Sequence, residues 1–267
     1  MRFDLVTLFP ELFVPLLSSG ITRRAYESGQ VDVRMVNPRD FARGTYRRVD
    51  DRPFGGGPGM VMMAEPLSQC LKSIRSQRND DAPVVLFSPV GQALSHTEVV
   101  RWAQSKGAIL ICGRYEGIDQ RFIDAHVTEQ ISLGDFVLSG GEIAAMALLD
   151  AVARLQPGVL SASESYEEDS FNSAIDGLLD CPHYTRPEIW EKLAVPAALL
   201  SGHHAQIERW RREQRLALTL HVRPELIGRA RLDGRLSDAD EAVLTKLSDE
   251  FHIPRFHLES RSDIIPG

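Results

Sequence analysis

The sequence predicts an α/β protein with a mainly parallel sheet, followed by a smaller helical domain. Three observations carry this. Between residues 84 and 155, short apolar runs alternate three times with stretches of helical spacing, the pattern of βα units on a parallel sheet. Each of these runs leads into a turn or loop containing glycine. Beyond residue 160 the chain becomes acidic and serine-bearing, and after Pro182 it resumes with helical spacing.

Phe3–Phe9 reads as a first strand, after which Pro10 opens a helix, where its missing N–H costs nothing. Val31–Val36 alternates apolar and polar and reads as a second strand. Residues 37–59 are rich in Arg and Gly and read as loop, and Pro66–Ile74 has helical spacing. Val84–Phe87 is a short buried strand running into Ser88-Pro89-Val90-Gly91. A helix from Ser95 to Gln104 follows, with Ser95 as its cap. Then come a strand over Ala108–Cys112, the loop Gly113–Gly117, a helix near Ile118–His126, a strand near Gln130–Leu133, and a second glycine loop ending at Gly141. Gly141–Leu155 is a strongly apolar helix. Three domains follow from this: a sheet domain over 1–160, a flexible acidic linker over 161–180, and a helical domain over 181–267.

Composition sets limits. The chain has 267 residues, 43% of them hydrophobic, so it can bury a large core. A net charge of -7 argues against a generally basic nucleic-acid binder, although phosphate contact depends on local patches. Residues 183–235 carry ten Lys/Arg against six Asp/Glu, and residues 236–267 three against seven. Basic excess is thus confined to the early helical domain. Cys70, Cys112 and Cys181 are odd in number and outside any Cys-x-x-Cys spacing, as reduced core cysteines are. Cys181-Pro182-His183 offers two metal ligands without a second pair to complete a zinc site. No apolar run approaches the roughly 20 residues of a membrane helix, and the N-terminus does not read as a secretory signal. A cytoplasmic location is expected.

Gly113-Arg114-Tyr115-Glu116-Gly117 and Leu133–Gly141 each follow an apolar run. Glycine allows main chain to approach a ligand where a Cβ would collide. As a pair, with the Ser88–Gly91 loop, they point to a small-molecule pocket at the carboxyl ends of the strands; individually they also read as plain tight turns. Glu116 and Asp135 can equally be helix-start acids. Pro53-Phe54-Gly55-Gly56-Gly57-Pro58-Gly59 lacks the Gly-Lys-Ser/Thr ending of a nucleotide-triphosphate loop. It reads either as a functional loop, with Arg39, Arg43, Arg47, Arg48 and Arg52 beside it for phosphate, or as a solvated turn with internal ion pairs. Arg154 ends an apolar helix, where a cation favours the helix dipole. Six acids lie between residues 161 and 180, and no physical argument selects Asp169 among them. His203–Arg212 reads as a basic helix start able to grip RNA, or as an amphipathic surface helix with Trp210 in the core.

These residues together resemble the bacterial tRNA (guanine-N1)-methyltransferases of the trefoil-knot (SPOUT) class. The resemblance rests on Leu8-Phe9-Pro10-Glu11, Asn37–Phe41, Val49–Met60, Cys112–Asp119, Gly134–Glu142, Glu168-Asp169-Ser170-Phe171 and Gly177–Glu188. It runs from the N-terminus to about residue 212; the last 45 or so residues are similar only in being helical. The resemblance implies a sheet tied into a deep trefoil knot, an exception to unknotted topology. It implies S-adenosylmethionine held by Phe87, Ser88, Pro89, Gly113, Tyr115, Glu116, Gly117, Leu133, Gly134, Asp135, Phe136, Val137, Leu138, Gly140 and Gly141. It also implies Asp169 as the base at guanine N1, Arg154 stabilising charge at O6, and Glu116 in a supporting role. RNA contacts are expected at Arg52, Gly59, His183, Arg186, His203 and Arg209. The family implies a homodimer with the active site at the subunit interface, methylation at position 37 of tRNA, and a need for Mg²⁺ in which Glu116 and Asp169 are candidate participants; the metal's site is unknown. Alternatives are a knotted methyltransferase for another RNA, or a non-catalytic RNA-binding protein.

Overall fold

The computed structural model of the protein describes residues 1–160 and 164–251. The first three residues of the expected linker and the end of the expected helical domain lie outside the described residues. The chain divides into two units, Met1–Ser163 and Glu164–Gly267.

The first unit is built on a five-stranded sheet. Its strands are β1 (Arg2–Val6), β2 (Asp32–Val36), β5 (Val84–Ala93), β6 (Gly107–Ile111) and β7 (Glu129–Ser132), in the order β2-β1-β6-β5-β7. Every neighbouring pair is parallel. Two-residue strands β3 (Asp50–Asp51) and β4 (Val61–Met62) form a separate antiparallel ladder. Helices α1 (Val14–Ser18), α2 (Arg23–Glu27), α3 (Ala64–Ser76), α4 (His96–Ala103), α5 (Gln120–His126) and α6 (Glu142–Ala153) complete it.

Central β6 shows why the apolar runs form strands. Successive side chains point to opposite faces, and both faces are covered. Ala108, Leu110 and Cys112 join one core with Trp102 of α4 and Leu148, Leu149 and Val152 of α6. Ile109 and Ile111 join the other with Leu67, Cys70, Leu71 and Ile74 of α3 and Phe122 of α5. A strand buried on both faces reads as a continuous apolar run. Asp4 is the exception in β1. It is 1% exposed and neutralised by Arg78, at 2.6 Å, and Arg2, at 2.7 Å.

Caps set the helix starts. The Ser95 hydroxyl accepts from the Glu98 N–H as expected, and Asp119 caps α5 by accepting from Arg121 N–H. Two elements differ from expectation for local reasons. The first strand stops at Val6 because the Thr7 hydroxyl accepts from Phe9 N–H and turns the chain. The strand from Val84 continues to Ala93 with an irregularity, so that Phe87 and Gln92 both pair with Ile131. Gly91 permits this return, since a Cβ there would lie 2.5 Å from the Gln130 and Ile131 backbone.

In the second unit, α7 (Glu164–Glu167) and a short 3-10 turn (Ser173–Ile175) precede a hairpin of β8 (Ile189–Trp190) and β9 (Leu193–Ala194). Helices α8 (Ala197–Leu200), α9 (His204–Val222), α10 (Pro224–Leu232) and α11 (Asp238–Phe251) follow. The hairpin corrects the expectation of helix directly after Pro182. Glu191 and Lys192 adopt left-handed conformations at φ 49 and 71, as a two-residue hairpin turn requires, and Pro187 and Pro196 break any helix. Leu178, Leu216, Ile227, Ala230 and Leu244 form a small core. Leu178 thus ties the end of the acidic segment to α9. No described helix is long and apolar enough to cross a membrane.

Candidate active site

The irregular stretch Leu86–Val90 within β5 and the loops after β6 and β7 meet around one cavity of about 500 Å³, within the usual size range for small-molecule sites. The predicted cofactor residues all line it except Asp135, which is exposed. Leu86, Ile131 and Ile118 contribute apolar wall, and Glu116, Ser132 and Ser139 contribute polar groups. The loops after β6 and β7 are joined directly. Gly141 N–H donates to the Gly113 carbonyl at 2.9 Å, and Arg114 bridges Gly140. A Cβ on Gly141 would sit 2.8 Å from Cys112 Cα, so main-chain contact here requires glycine. β4 and the residue before it also join: Glu116 N–H donates to the Met60 carbonyl at 3.0 Å and Met62 N–H to the Gly117 carbonyl at 2.8 Å.

Beneath the loops lies an ion pair that sequence reasoning missed. Glu142, the first residue of α6, is fully buried. Its carboxylate accepts from the Thr7 hydroxyl at 2.9 Å and lies 2.8 Å from Arg114 Nε. The same guanidinium reaches the Ser139 carbonyl at 3.3 Å and lies 4.4 Å from the Phe9 ring centroid. A Cβ on Gly140 would collide with both members of the pair. One arginine therefore latches the β6 and β7 loops to each other and to the turn after β1. The available signal was an acid opening an otherwise apolar helix, two residues after a Ser-Gly step. Burial in the core shared with α4 and α6, and then the Glu142 charge, also push the Cys112 thiol well above its ordinary range. With Cys70 raised to about 12 by burial and then by Asp40, neither is suited to nucleophilic chemistry.

Of the predicted catalytic residues, Glu116 lines the cavity. Arg154 is the C-terminal cap of α6. Asp169 belongs to the second unit, half-buried in a turn where its carbonyl accepts from Asn172 N–H at 3.1 Å. Glu168 and Asp180 pair with Arg215, and Asp176 with Arg212. Despite its partial burial, Asp180 is held below the usual carboxylate range by the Cys181 N–H, His183 and Arg215. Among the expected RNA contacts, Arg52 and Gly59 flank the glycine-rich loop of the first unit. His183, Arg186, His203 and Arg209 are exposed on the second, where His183 contacts Asp180 at 2.9 Å.

The cavity fits S-adenosylmethionine. Glycine main chain admits close approach, apolar walls suit an adenine, and the Glu116 carboxylate suits the cationic end. The described residues contain no cluster of three or more His, Cys, Asp or Glu side chains able to hold a metal.

Comparison with known proteins agrees with this geometry. Residues 1–229 match the family model described as tRNA (Guanine-1)-methyltransferase TrmD, further along the chain than the roughly 212 residues the motifs alone reached. A tRNA (guanine-N(1)-)-methyltransferase of Albidiferax ferrireducens is 79% identical over 244 residues, covering 91% of this chain and 98% of that relative. Proteins of the same name from Paracidovorax citrulli and Bordetella pertussis are 70% and 56% identical, covering 93% and 94% of this chain and 99% of each relative. The glycine-loop cavity and the matched length together place the chain in the tRNA (guanine-1)-methyltransferase family.

Proposed function

We propose that this protein transfers a methyl group from S-adenosylmethionine to N1 of guanosine 37 in tRNA, beside the anticodon. The observation that carries the reading is the cavity shared by the three glycine-bearing stretches, in a chain of this family. When bound, the cofactor supplies an electrophilic methyl on a sulfonium. The protein supplies position and proton transfer.

Guanine N1 carries a proton near neutral pH and is a poor nucleophile until it leaves. The Asp169 carboxylate accepts that proton as the N1 lone pair forms the new N–C bond; the old C–S bond breaks with its electrons going to sulfur. Negative charge shifts towards O6, where the Arg154 guanidinium, always protonated, stabilises it. Glu116 orients the reactants. Because displacement needs alignment more than activation, the latched loops matter as much as the base. Arg52, Gly59, His183, Arg186, His203 and Arg209 hold the RNA, whose single-stranded loop lets the base be splayed out at modest cost.

The reading includes a trefoil knot and a homodimer in which Asp169 of one protomer serves the cofactor pocket of its partner. Support for the knot comes from the strand order and from the direct junction of the loops after β6 and β7. Support for the dimer comes from apolar side chains left exposed in one chain: Leu12, Val14, Ile21 and Ile143, with Phe136 and Val137 beside the pocket. The reading keeps a sheet domain over 1–160, a linker over 161–180 and a helical domain over 181–267, with support for the first boundary from the division of the chain at Ser163, and a cytoplasmic site of action suits a tRNA substrate. The test is transfer of labelled methyl to unmodified tRNA, followed by nucleoside analysis. Label in 1-methylguanosine at position 37 is expected; label in another nucleoside, or none, would overturn the reading.

A further inference from the structure

The glycine-rich loop between β3 and β4 carries an aromatic side chain that the chain itself does not use. Phe54 is 100% exposed, while its neighbours Gly55, Gly56 and Gly57 all adopt left-handed conformations with nothing near their Cβ positions. The loop thus lifts a bare phenyl ring into solvent and packs it on nothing. Leaving such a ring wet forgoes burial that folding normally exploits.

Two further observations say what the ring meets. The loop is rooted at the cavity: beyond Gly59, Met60 bonds Glu116 and Met62 bonds Gly117, and a Cβ on Gly59 would collide with the Glu116 side chain. The loop is also preceded in sequence by cations. Arg47 and Arg48 pair with Asp40 and Asp51, whereas the side chains of Arg43 and Arg52 have no acidic partner among the described residues. Residues 39–52 hold five arginines against three aspartates. An exposed aromatic two residues from the Arg52 guanidinium, on a loop rooted against Glu116 of the cavity wall, is a combination by which proteins hold single-stranded RNA: rings stack on bases, cations meet phosphates.

We propose that Phe54 is a stacking platform for an unpaired nucleobase of the RNA that flanks the methylated guanosine, with Arg52 and Arg43 on the adjoining phosphates. This rests on the tRNA-methyltransferase reading and adds a base contact to it.

The test uses the full-length enzyme and an unmodified tRNA substrate. Phe54→Ala removes no packing, so folding and cofactor affinity stay at wild-type level. It is expected to raise KM for tRNA by about tenfold to a hundredfold, the range for loss of one base–aromatic stack. Phe54→Trp is expected to retain wild-type KM and to add fluorescence that an anticodon stem–loop RNA quenches beyond the change seen with wild type, whose Trp190 is also exposed. An unchanged KM in Phe54→Ala, with wild type active, would overturn the stacking role and leave the methyltransferase reading intact. A shift of Phe54→Ala from dimer to monomer by sedimentation would assign the ring to a second copy of the chain and also overturn the proposal. Absence of tRNA methylation by wild type would instead sink the reading on which it rests.

Discussion

Replacing Glu142 with Met, an apolar side chain of similar length, tests whether the Arg114–Glu142 pair is what holds the cofactor loops together. The carboxylate is 1% exposed and 2.8 Å from Arg114 Nε. Removing one partner of a buried pair leaves the other charge uncompensated, at about 3–5 kcal/mol. Arg114 is 18% exposed and retains the Ser139 carbonyl, which moves the expected loss to the lower end. The Thr7 hydroxyl loses its acceptor, adding about 1 kcal/mol. Glu142→Met should therefore lose about 3–4 kcal/mol of stability, and Arg114→Met a similar amount, in urea denaturation of the first unit. The double variant buries no unpaired charge and should lose no more than about 3 kcal/mol, where additivity would give about 6–8, a coupling of at least about 3 kcal/mol, at or above the top of the range for residues in contact. Calorimetric titration with S-adenosylmethionine supplies the second readout. Affinity should fall about tenfold in both single variants and stay low in the double, because Arg114 is either missing or no longer fixed by Glu142 against the turn after β1. Additive losses of stability would refute the coupling. Recovery of cofactor affinity together with stability in the double variant would reduce the pair to a folding element.

Three further outcomes follow. Asp169→Asn keeps the shape of the carboxylate but cannot take the N1 proton; transfer should fall by at least about a hundredfold with cofactor affinity unchanged in the same titration. Arg209→Gln should weaken tRNA binding and reduce its salt slope by about 1, measured by filter binding over a salt series. In the second unit, Asp240 accepts from Arg212 and from the Ser237 N–H and hydroxyl, and with Arg212 as the leading cause its carboxyl falls from 3.8 to about 2. A depressed folded value means stability present above the unfolded value and lost as pH falls. Acid titration by circular dichroism should show up to about 2 kcal/mol lost between about pH 4 and 2, and Asp240→Asn should flatten that window.

The sheet was legible because strands buried on both faces leave unbroken apolar runs, as in Ala108–Cys112, and because glycine loops stand where main chain must approach closely. Element ends were less legible. Thr7 turns the chain through its own hydroxyl, and β5 resumes beyond a loop through pairing with β7 that no local pattern announces. The β8–β9 hairpin was missed because two non-glycine residues, Glu191 and Lys192, occupy its left-handed turn. The cavity lining was readable from glycine placement and family resemblance together. Glu142 was not, since an acid at a helix start normally signals a solvated dipole contact and only its burial reveals the pairing. Asp169 was selected by family resemblance alone; its acidic neighbours Glu168, Asp176 and Asp180 form ion pairs with α9, which no local pattern announces.

The most direct test of the central claim, that a base from one protomer serves the methyl-donor pocket of its partner, is subunit complementation. One preparation carries Asp169→Asn and the other Gly141→Val, which blocks the pocket through contact with the Cys112 backbone. Each alone should be inactive. After the two are mixed, dissociated and reassociated, half of the dimers are mixed and one site in each is intact, so methylation of tRNA should return to about a quarter of the wild-type rate. No recovery in a sample shown to contain mixed dimers would place both functions in one protomer and contradict the account.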